Sequence, residues 1–334
     1  MRQWRRLLAV LVIGTLVACG SGSGDDKDTL VVYGAPHGEL LSTMVEKFTQ
    51  QTGIKVKVRP GADSELANQI VQEGKASRAD VFMTENSPAM GLVDAKGLFA
   101  RVDDATVAQV PAGFVPSNHN WVGYAARSTV LVHNAKALPD DQLPASLMDL
   151  AQPAWQNRVG IAPSGADFQA IVSAVLALKG TAATEQWLAG LKRNAKIYTN
   201  NIAILKAVDT GEVPAGISYH YYWYKDRAAG GTGSANAELK FFGKADPGAF
   251  LSVSGAGVLA SSPKKAQAQK FLAFITSKAG QQVLADSKAM EYPIADGVAN
   301  PALKPMAELD PPAVDPAKLN GPEVIRLMQQ AGLL

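Results

Sequence analysis

Short apolar runs and helical periodicities alternate along the first third of the chain. Residues 29–33 (TLVVY) and 79–83 (ADVFM) are apolar enough for buried strands, and residues 54–58 (IKVKV) show the period of two typical of a half-exposed strand. Between them, residues 39–52 and 64–73 repeat apolar side chains at helical spacing. The pattern therefore predicts strands joined by helices, an arrangement that builds mostly parallel sheets covered by helices.

The same alternation continues through the rest of the chain. Residues 123–132 form a strand-like run, and residues 250–260 (FLSVSGAGVLA) predict a returning strand. Among these runs we also predict a buried strand with Val213, Ala215 and Ile217, and helices at residues 166–179, 184–192, 202–209 and 264–278. A chain that leaves one lobe and later returns to it predicts an α/β fold of two lobes, with mixed, mostly parallel sheets and a multi-strand hinge.

The length of 334 residues exceeds what one hydrophobic core usually organises, which also favours two lobes. We assign residues 29–125 plus 251–300 to lobe 1 and residues 126–250 plus 301–334 to lobe 2. With only one cysteine in the chain, no disulfide is expected, so both cores must be stable through packing alone.

The amino terminus predicts export. Residues 1–6 (MRQWRR) are basic, and the apolar run at residues 7–18 is shorter than the roughly 20 residues that span a membrane. The sequence LVAC, which ends at Cys19, looks like a bacterial lipobox. We therefore predict a signal peptide at residues 1–18, followed by residues 19–28 as a lipid-bearing Cys19 and a flexible tether. An ordinary signal peptide with an incidental Cys19 is the alternative.

Four of the eight tyrosines lie within six residues, in the run GISYHYYWYK: Tyr219, Tyr221, Tyr222 and Tyr224. They follow the predicted buried strand, at the end where α/β sheets bind ligands. A phenol ionises near pH 10, so it is a poor ligand for most ions at neutral pH. A hard trivalent cation such as Fe³⁺ displaces the protons. For this segment alone, an aromatic strand end that merely packs against a core is the alternative.

Six segments, in order and at matching spacing, carry a resemblance to a known family: VVYGAPH, ADVFMTEN, APSGADF, SYHYYW, DPGAFLSVSGAGVLASS and EYPI. The chain resembles the ferric-ion-binding proteins of bacterial ABC importers over nearly all of its predicted mature length. The resemblance implies a two-lobed periplasmic-binding-protein fold of type II. It also implies that the protein captures Fe³⁺ between its lobes.

The resemblance implies four metal ligands: His37 after the first strand, Glu85 after the third, and Tyr221 and Tyr222 from the facing lobe. One carboxylate and two phenolates supply three negative charges against Fe³⁺, and a neutral imidazole adds a fourth donor. Carboxylate and phenolate oxygens are hard donors suited to a hard cation. The expected cargo is therefore Fe³⁺.

Four protein ligands leave two octahedral positions, which the family fills with an oxyanion or water. The implied anion contacts are at a helix start, where N–H groups and the helix dipole favour anions, and at a later asparagine: Ser164, Gly165, Ala166 and Asn201. Tyr219 and His220 stand where the family usually has two asparagines, the first of which helps hold the anion. Tyr219 is therefore either a third phenolate ligand or a bulky wall. Arg127 is either a charge partner near the hinge or a structural residue.

We expect an extracytoplasmic, lipid-anchored, monomeric receptor that delivers Fe³⁺ to an ABC permease. The alternative is the same fold binding a small anionic or organic solute without iron. No enzyme is expected, because the chain has no HExxH, no P-loop and no zinc-type cysteine pair. The formal charge of +2 turns slightly negative once Arg2, Arg5 and Arg6 leave with the signal peptide, so nucleic acid is not an expected partner.

Overall fold

A computed structural model describes residues 28–34 and 37–334. The predicted signal peptide, Cys19 with its predicted lipid and nearly all of the predicted tether lie outside the described residues. Within the described part of the chain, no helix is long and apolar enough to cross a membrane.

The described residues contain nine strands, paired in one path in the order β2-β1-β3-β9-β4-β7-β5-β6, with β8 also paired to β4. The strands are β1 (Leu30–Gly34), β2 (Val56–Pro60), β3 (Val81–Met83), β4 (Val122–Asn134), β5 (Val159–Ile161), β6 (Ala195–Ile197), β7 (Ala215–Tyr219), β8 (Ala237–Lys240) and β9 (Leu251–Val258). Every predicted strand has a counterpart here. The long β4 extends the predicted run at residues 123–132 at both ends.

Ten α-helices of the described residues cover the sheet. They are α1 (Gly38–Thr52), α2 (Asp63–Glu73), α3 (Ser87–Asp94), α4 (Asp104–Val107), α5 (Ala166–Asn194), α6 (Asn201–Asp209), α7 (His220–Ala228), α8 (Lys265–Thr276), α9 (Lys278–Asp286) and α10 (Gly321–Gln330). Gly180 interrupts α5 with a φ of 78°, a conformation that favours glycine, so the predicted helices 166–179 and 184–192 are its two halves. The predicted helix 264–278 corresponds to α8, which ends at Thr276 because Ser277 leaves the helical conformation and caps the following α9.

The sheet is mixed, and the direction of pairing changes along it. Pairings among β1, β2 and β3 and among β5, β6 and β7 are parallel, as strand–helix alternation predicts. The long strands differ: β4 pairs antiparallel with β9 through residues 122–128 and antiparallel with β7 through residues 129–133. The two parallel groups are thus joined by a crossing through β4 and β9.

The buried apolar side chains form separate clusters on the two sides of this crossing. One cluster contains Leu30, Met44, Val81 and Phe271, and another contains Leu131, Ile161, Trp187 and Ile217. The carboxyl-terminal segment contacts both, because Leu303 and Leu309 pack in the first cluster whereas Val324 and Leu327 pack in the second. The carboxyl ends of β3 and β7 lie beside the crossing, and the site described next is built on them.

Candidate metal centre

The structure brings His37, Glu85, Tyr221 and Tyr222 together. His37 Nδ1 lies 3.5 Å from Glu85 Oε1, and the His37 ring meets the Tyr221 ring edge-on at 5.5 Å between centroids. The Tyr221 and Tyr222 rings are 4.1 Å apart. The side chains of His37 and Glu85 are 25% and 23% exposed, so solvent reaches this site. Beside His37 a cavity of about 660 Å³ opens, with three lysines in its lining: Lys47, Lys225 and Lys288.

Glu85 is positioned by a buried carboxylate in the first turn of α2. Its main-chain N–H donates to Asp63 Oδ1 at 2.9 Å, and the N–H of Asn86 donates to Asp63 Oδ2 at 2.8 Å. The Glu85 carbonyl accepts from Ser254 Oγ at 3.1 Å and from the Arg127 guanidinium. Burial raises the pKa of Asp63 to about 7, against the lowering effect of these N–H donors. Hydrogen bonds to its N–H groups and to its carbonyl group therefore fix the main chain of the loop after β3.

Arg127 organises the charges on this face of the site. Its guanidinium is completely buried, 3.0 Å from Glu291 Oε1 and 4.0 Å from Glu85 Oε2. Burial would raise the pKa of Glu291, but Arg127 and the neighbouring His37 outweigh it and lower that pKa to about 2. Burial raises the pKa of Glu85, while Arg127 and His37 oppose the rise. We call His37, Glu85, Glu291 and Arg127 the histidine face.

Glu291 is a functional candidate that the sequence analysis did not single out. Its Oε1 lies 3.2 Å from His37 Nε2, and its side chain is only 1% exposed. It belongs to the EYPI segment of the resemblance, but a glutamate in a loop between a helix and a proline carries no spacing signal of its own. In space the His37 ring lies between two carboxylates, Glu85 beside Nδ1 and Glu291 beside Nε2.

The tyrosines begin at the end of β7, as predicted. Tyr219 is the last residue of the strand and α7 begins at His220, so Tyr221 and Tyr222 lie in the first turn of the helix. Their hydroxyls donate to one oxygen, Asp167 Oδ2, at 3.3 Å and 2.9 Å. Burial raises both phenol pKa values, and the Asp167 charge raises them further. Without a cation, both phenols therefore keep their protons at neutral pH.

Asp167 is the second candidate that sequence reasoning missed. Its Oδ1 accepts from Asn86 Nδ2 at 3.1 Å and its Oδ2 from Asn201 Nδ2 at 2.8 Å, so it joins the loop after β3 to α6 and to both tyrosines. An aspartate in the first turn of a helix commonly serves only to complement the helix dipole. The sequence pattern therefore does not indicate a role for Asp167 at the site. We call Tyr221, Tyr222 and Asp167 the tyrosine face.

The predicted anion contacts lie beside Asp167. Gly165, with no side-chain cap, is the N-cap residue of α5, whose first residue is Ala166, while Ser164 precedes it and is exposed. Asn201 is buried at the start of α6 and donates its amide hydrogen to Asp167. The Asp167 carboxylate thus takes the hydrogen bond that Asn201 was expected to give to a free anion.

Tyr219 and His220 are core residues in this structure. The Tyr219 hydroxyl donates to the Asp167 carbonyl at 3.3 Å, and its side chain is 1% exposed. His220 accepts from the Ser128 N–H at 3.1 Å and stacks on the Tyr292 ring at 4.6 Å. Burial lowers the pKa of His220 to about 3, so its ring is neutral. This geometry favours Tyr219 as a bulky wall of the site over Tyr219 as a third phenolate ligand.

The chain is similar in sequence to known proteins. Residues 76–318 match the family model for bacterial extracellular solute-binding proteins. The chain is 51% identical to the Fe(3+)-binding periplasmic protein of Serratia marcescens, over 98% of this chain and 97% of that protein. It is 37% identical to the major ferric iron-binding protein of Neisseria meningitidis, over 91% and 93% of the two chains.

Solved structures show the same likeness. Iron-bound HitA from Pseudomonas aeruginosa aligns with a TM-score of 0.84 and 43% identity, covering 91% of this chain and 99% of that one. A Trichodesmium protein (FutA) crystallised with iron and citrate aligns with a TM-score of 0.82 and 25% identity, over 91% and 99%. The predicted fold class, an α/β fold of the two-lobed periplasmic-binding type, is confirmed.

Proposed function

This chain belongs to the bacterial extracellular solute-binding proteins, and we propose that it captures Fe³⁺ between the histidine face and the tyrosine face and delivers it to an ABC permease. The observation that carries the proposal is the convergence of two phenol hydroxyls on Asp167, opposite His37 and Glu85. The names of the relatives point the same way, because they are iron-binding proteins.

Proton exchange explains why the cargo is trivalent. Deprotonating an ordinary phenol at pH 7 costs about 4 kcal/mol, from three pH units at roughly 1.36 kcal/mol each. Burial and Asp167 increase that cost for Tyr221 and Tyr222. A trivalent ion offsets it through two short phenolate bonds in a site of low dielectric constant, whereas a divalent ion offers much less. The raised phenol pKa values therefore favour Fe³⁺ over Fe²⁺ and make release sensitive to reduction.

Asp167 changes the expectation for the anion. We propose that its carboxylate serves the tyrosine face in place of a free oxyanion, since both tyrosine hydroxyls and Asn201 already direct hydrogen bonds to it. Ser164, Gly165 and Ala166, at the start of α5, remain the proposed contacts for any further small oxyanion or water that completes the shell.

The remaining parts of the proposal concern closure of the lobes and the place of the protein in the cell envelope. We propose residues 29–125 plus 251–300 and 126–250 plus 301–334 as lobes that close around Fe³⁺ by hinge bending, because ligands come from both faces. A lipid on Cys19 would hold the exported monomer at the membrane, beside its permease. The protein would act as a carrier and not as an enzyme, in keeping with relatives named as binding proteins.

The visible spectrum of the purified mature chain tests the proposal. Loading with ferric citrate, followed by removal of free iron, should give one Fe³⁺ per chain and a phenolate-to-Fe³⁺ charge-transfer band. Gallium(III), which has the same charge and no such band, should compete with Fe³⁺ and bleach the colour. A colourless protein that retains no iron would contradict the proposal and favour the alternative, a small anionic or organic solute bound without iron.

A further inference from the structure

A second group of possible metal ligands lies on the sheet away from the ferric site. His133 on β4 and Glu238 on β8 are register partners in antiparallel strands, so their side chains share one face of the sheet. Asp140 approaches the same point from the short 3-10 turn Asp140–Gln142. In β4, Thr129 is opposite Tyr219 whereas His133 is opposite Ala215. Four strand residues, about 13 Å, therefore separate this group from the tyrosine end of β7.

The three side chains have the spacing of a small cation site. One ligand atom from each of His133, Asp140 and Glu238 lies within 4.8 Å of the other two, and His133 Nε2 is 3.9 Å from Asp140 Oδ1. That separation is too long for a hydrogen bond. Two ligand atoms of a tetrahedral zinc site, with bonds of about 2.0–2.1 Å, are about 3.4 Å apart, so a small rotation of the exposed Asp140 side chain toward His133 would let a single ion bind both atoms.

A hydrogen bond to the main chain orients the imidazole ring of His133. His133 is 2% exposed, and its Nδ1 lies 2.9 Å from the Leu138 carbonyl, which can only accept a hydrogen bond. Nδ1 therefore carries a hydrogen, and Nε2 is the ring nitrogen that lies toward Asp140. A histidine that donates its other N–H to a carbonyl is the usual arrangement of a metal ligand, because the hydrogen bond sets the tautomer and the ring orientation.

The turn that carries Leu138 is itself held in place. The Asn134 side chain accepts from the N–H groups of Lys136 and Ala137 at 3.1 Å and 3.2 Å and donates to the Val208 carbonyl at 2.9 Å. The Leu138 N–H donates to the Asn134 carbonyl at 2.8 Å. These bonds fix the turn that presents the Leu138 carbonyl to His133, and Asp140 follows two residues later.

The charges of the group favour a cation over an anion. Within residues 28–34 and 37–334, neither Asp140 nor Glu238 has a side-chain hydrogen bond or ion pair to a lysine or arginine. The two exposed carboxylates instead lie beside the imidazole of the buried His133, whose Nε2 is 3.9 Å from Asp140 Oδ1. One imidazole and two carboxylates match the ligand preferences of borderline divalent ions, whereas Mg²⁺ and Ca²⁺ prefer sites built from oxygen alone.

We propose that His133, Asp140 and Glu238 bind a divalent transition-metal ion, with Zn²⁺ the best match and water completing its coordination. The ion would tie β8 and the turn at Asp140 to β4. The proposal does not depend on ferric binding at the other site, because no residue is shared between the two.

Zinc titration of the mature chain tests this proposal, with calorimetry for Zn²⁺ and the visible absorption of Co²⁺ as a second probe. Asp140→Asn and Glu238→Gln remove one ligand charge each from exposed side chains, so folding should be unaffected. Each should weaken Zn²⁺ binding by at least about tenfold and change the Co²⁺ spectrum. Asp141→Asn, the adjacent exposed carboxylate in the same turn, is the matched control and should change the affinity less than about twofold.

Zinc bound at the ferric site is distinguished by its response to these variants. Binding there would be insensitive to Asp140→Asn and Glu238→Gln, because those residues are remote from it. Zinc affinity unchanged in both variants, an equal loss in Asp141→Asn, or competition by Mg²⁺ at equal concentration would overturn the proposal.

Discussion

The histidine face carries His37, Glu85 and Glu291 around a buried guanidinium, whereas the tyrosine face carries two phenols around the carboxylate of Asp167. On the first face, opposite charges are already paired, and Arg127 holds the pKa of Glu291 near 2 against the effect of burial. On the second, both phenols donate hydrogen bonds and keep their protons.

This difference assigns separate tasks to the two faces. On the histidine face, the carboxylates are already paired with Arg127, so their protonation need not change when iron binds. This face is therefore a fixed half of the site, and it is open to solvent. The tyrosine face must give up protons before it can bind, and it does so only for a cation of high charge. Selectivity for Fe³⁺ is therefore expected to lie mainly with the tyrosines, and geometric positioning with the Arg127 network.

Removal of one phenol should have the largest effect. Tyr221→Phe and Tyr222→Phe keep the ring but lose a ligand charge beside a trivalent ion, so ferric affinity should fall by roughly two orders of magnitude or more. The charge-transfer band should be lost or strongly shifted. Tyr198→Phe is the matched control, because Tyr198 lies outside the site and donates to Glu212. Parental affinity in both site variants would show that these phenols are not ligands.

Neutralising Asp167 should have the next largest effect. Asp167→Asn keeps the shape but removes the carboxylate that both tyrosines contact, and ferric affinity should fall roughly ten- to a hundredfold. Added citrate or phosphate should restore part of the loss, because a free oxyanion can then take the vacated position. An affinity that neither falls nor responds to added anion would contradict the role proposed for Asp167.

The sequence predicted the fold better than it predicted the environment of the site. Periodicity located the strands, and the YYW and APH segments located four side chains that do come together. Asp167 and Glu291 escaped notice because their importance comes from hydrogen bonds to residues distant in sequence, such as Asn86 and His37. The sequence likewise leaves the role of Tyr219 undecided, because only the packed structure shows its hydroxyl on a main-chain carbonyl.

A change on the histidine face should have a smaller effect on iron and a clear effect on stability. Arg127→Lys keeps the charge, but a compact ammonium cannot serve both Glu291 and the Glu85 carbonyl as the guanidinium does. The free energy of unfolding should drop by about 1–3 kcal/mol, and ferric affinity should fall by roughly tenfold through the loss of Glu85 positioning. Chemical denaturation and ferric titration check the two effects separately. If Arg127→Lys loses the charge-transfer band but remains fully stable, Arg127 acts on the tyrosine face, and its assignment to the histidine face is wrong.

The smallest effect is expected at Tyr219. Its hydroxyl bonds to a main-chain carbonyl, so Tyr219→Phe should cost about 0.5–1.5 kcal/mol of stability. The charge-transfer band should stay in place, and ferric affinity should change less than about threefold. A shifted band would instead make Tyr219 a third phenolate and extend the tyrosine face by one ligand.

The pH dependence of ferric affinity, measured at fixed free Fe³⁺ activity, tests the central claim that iron displaces protons from the tyrosine face. Burial and Asp167 raise both phenol pKa values, so Tyr221 and Tyr222 are protonated in the iron-free protein throughout the neutral range. Binding must then release two protons, and affinity should fall by about a hundredfold for each pH unit lowered. An affinity that stays flat between about pH 7.5 and pH 6.5, a window centred well below the ordinary phenol pKa, would contradict the account.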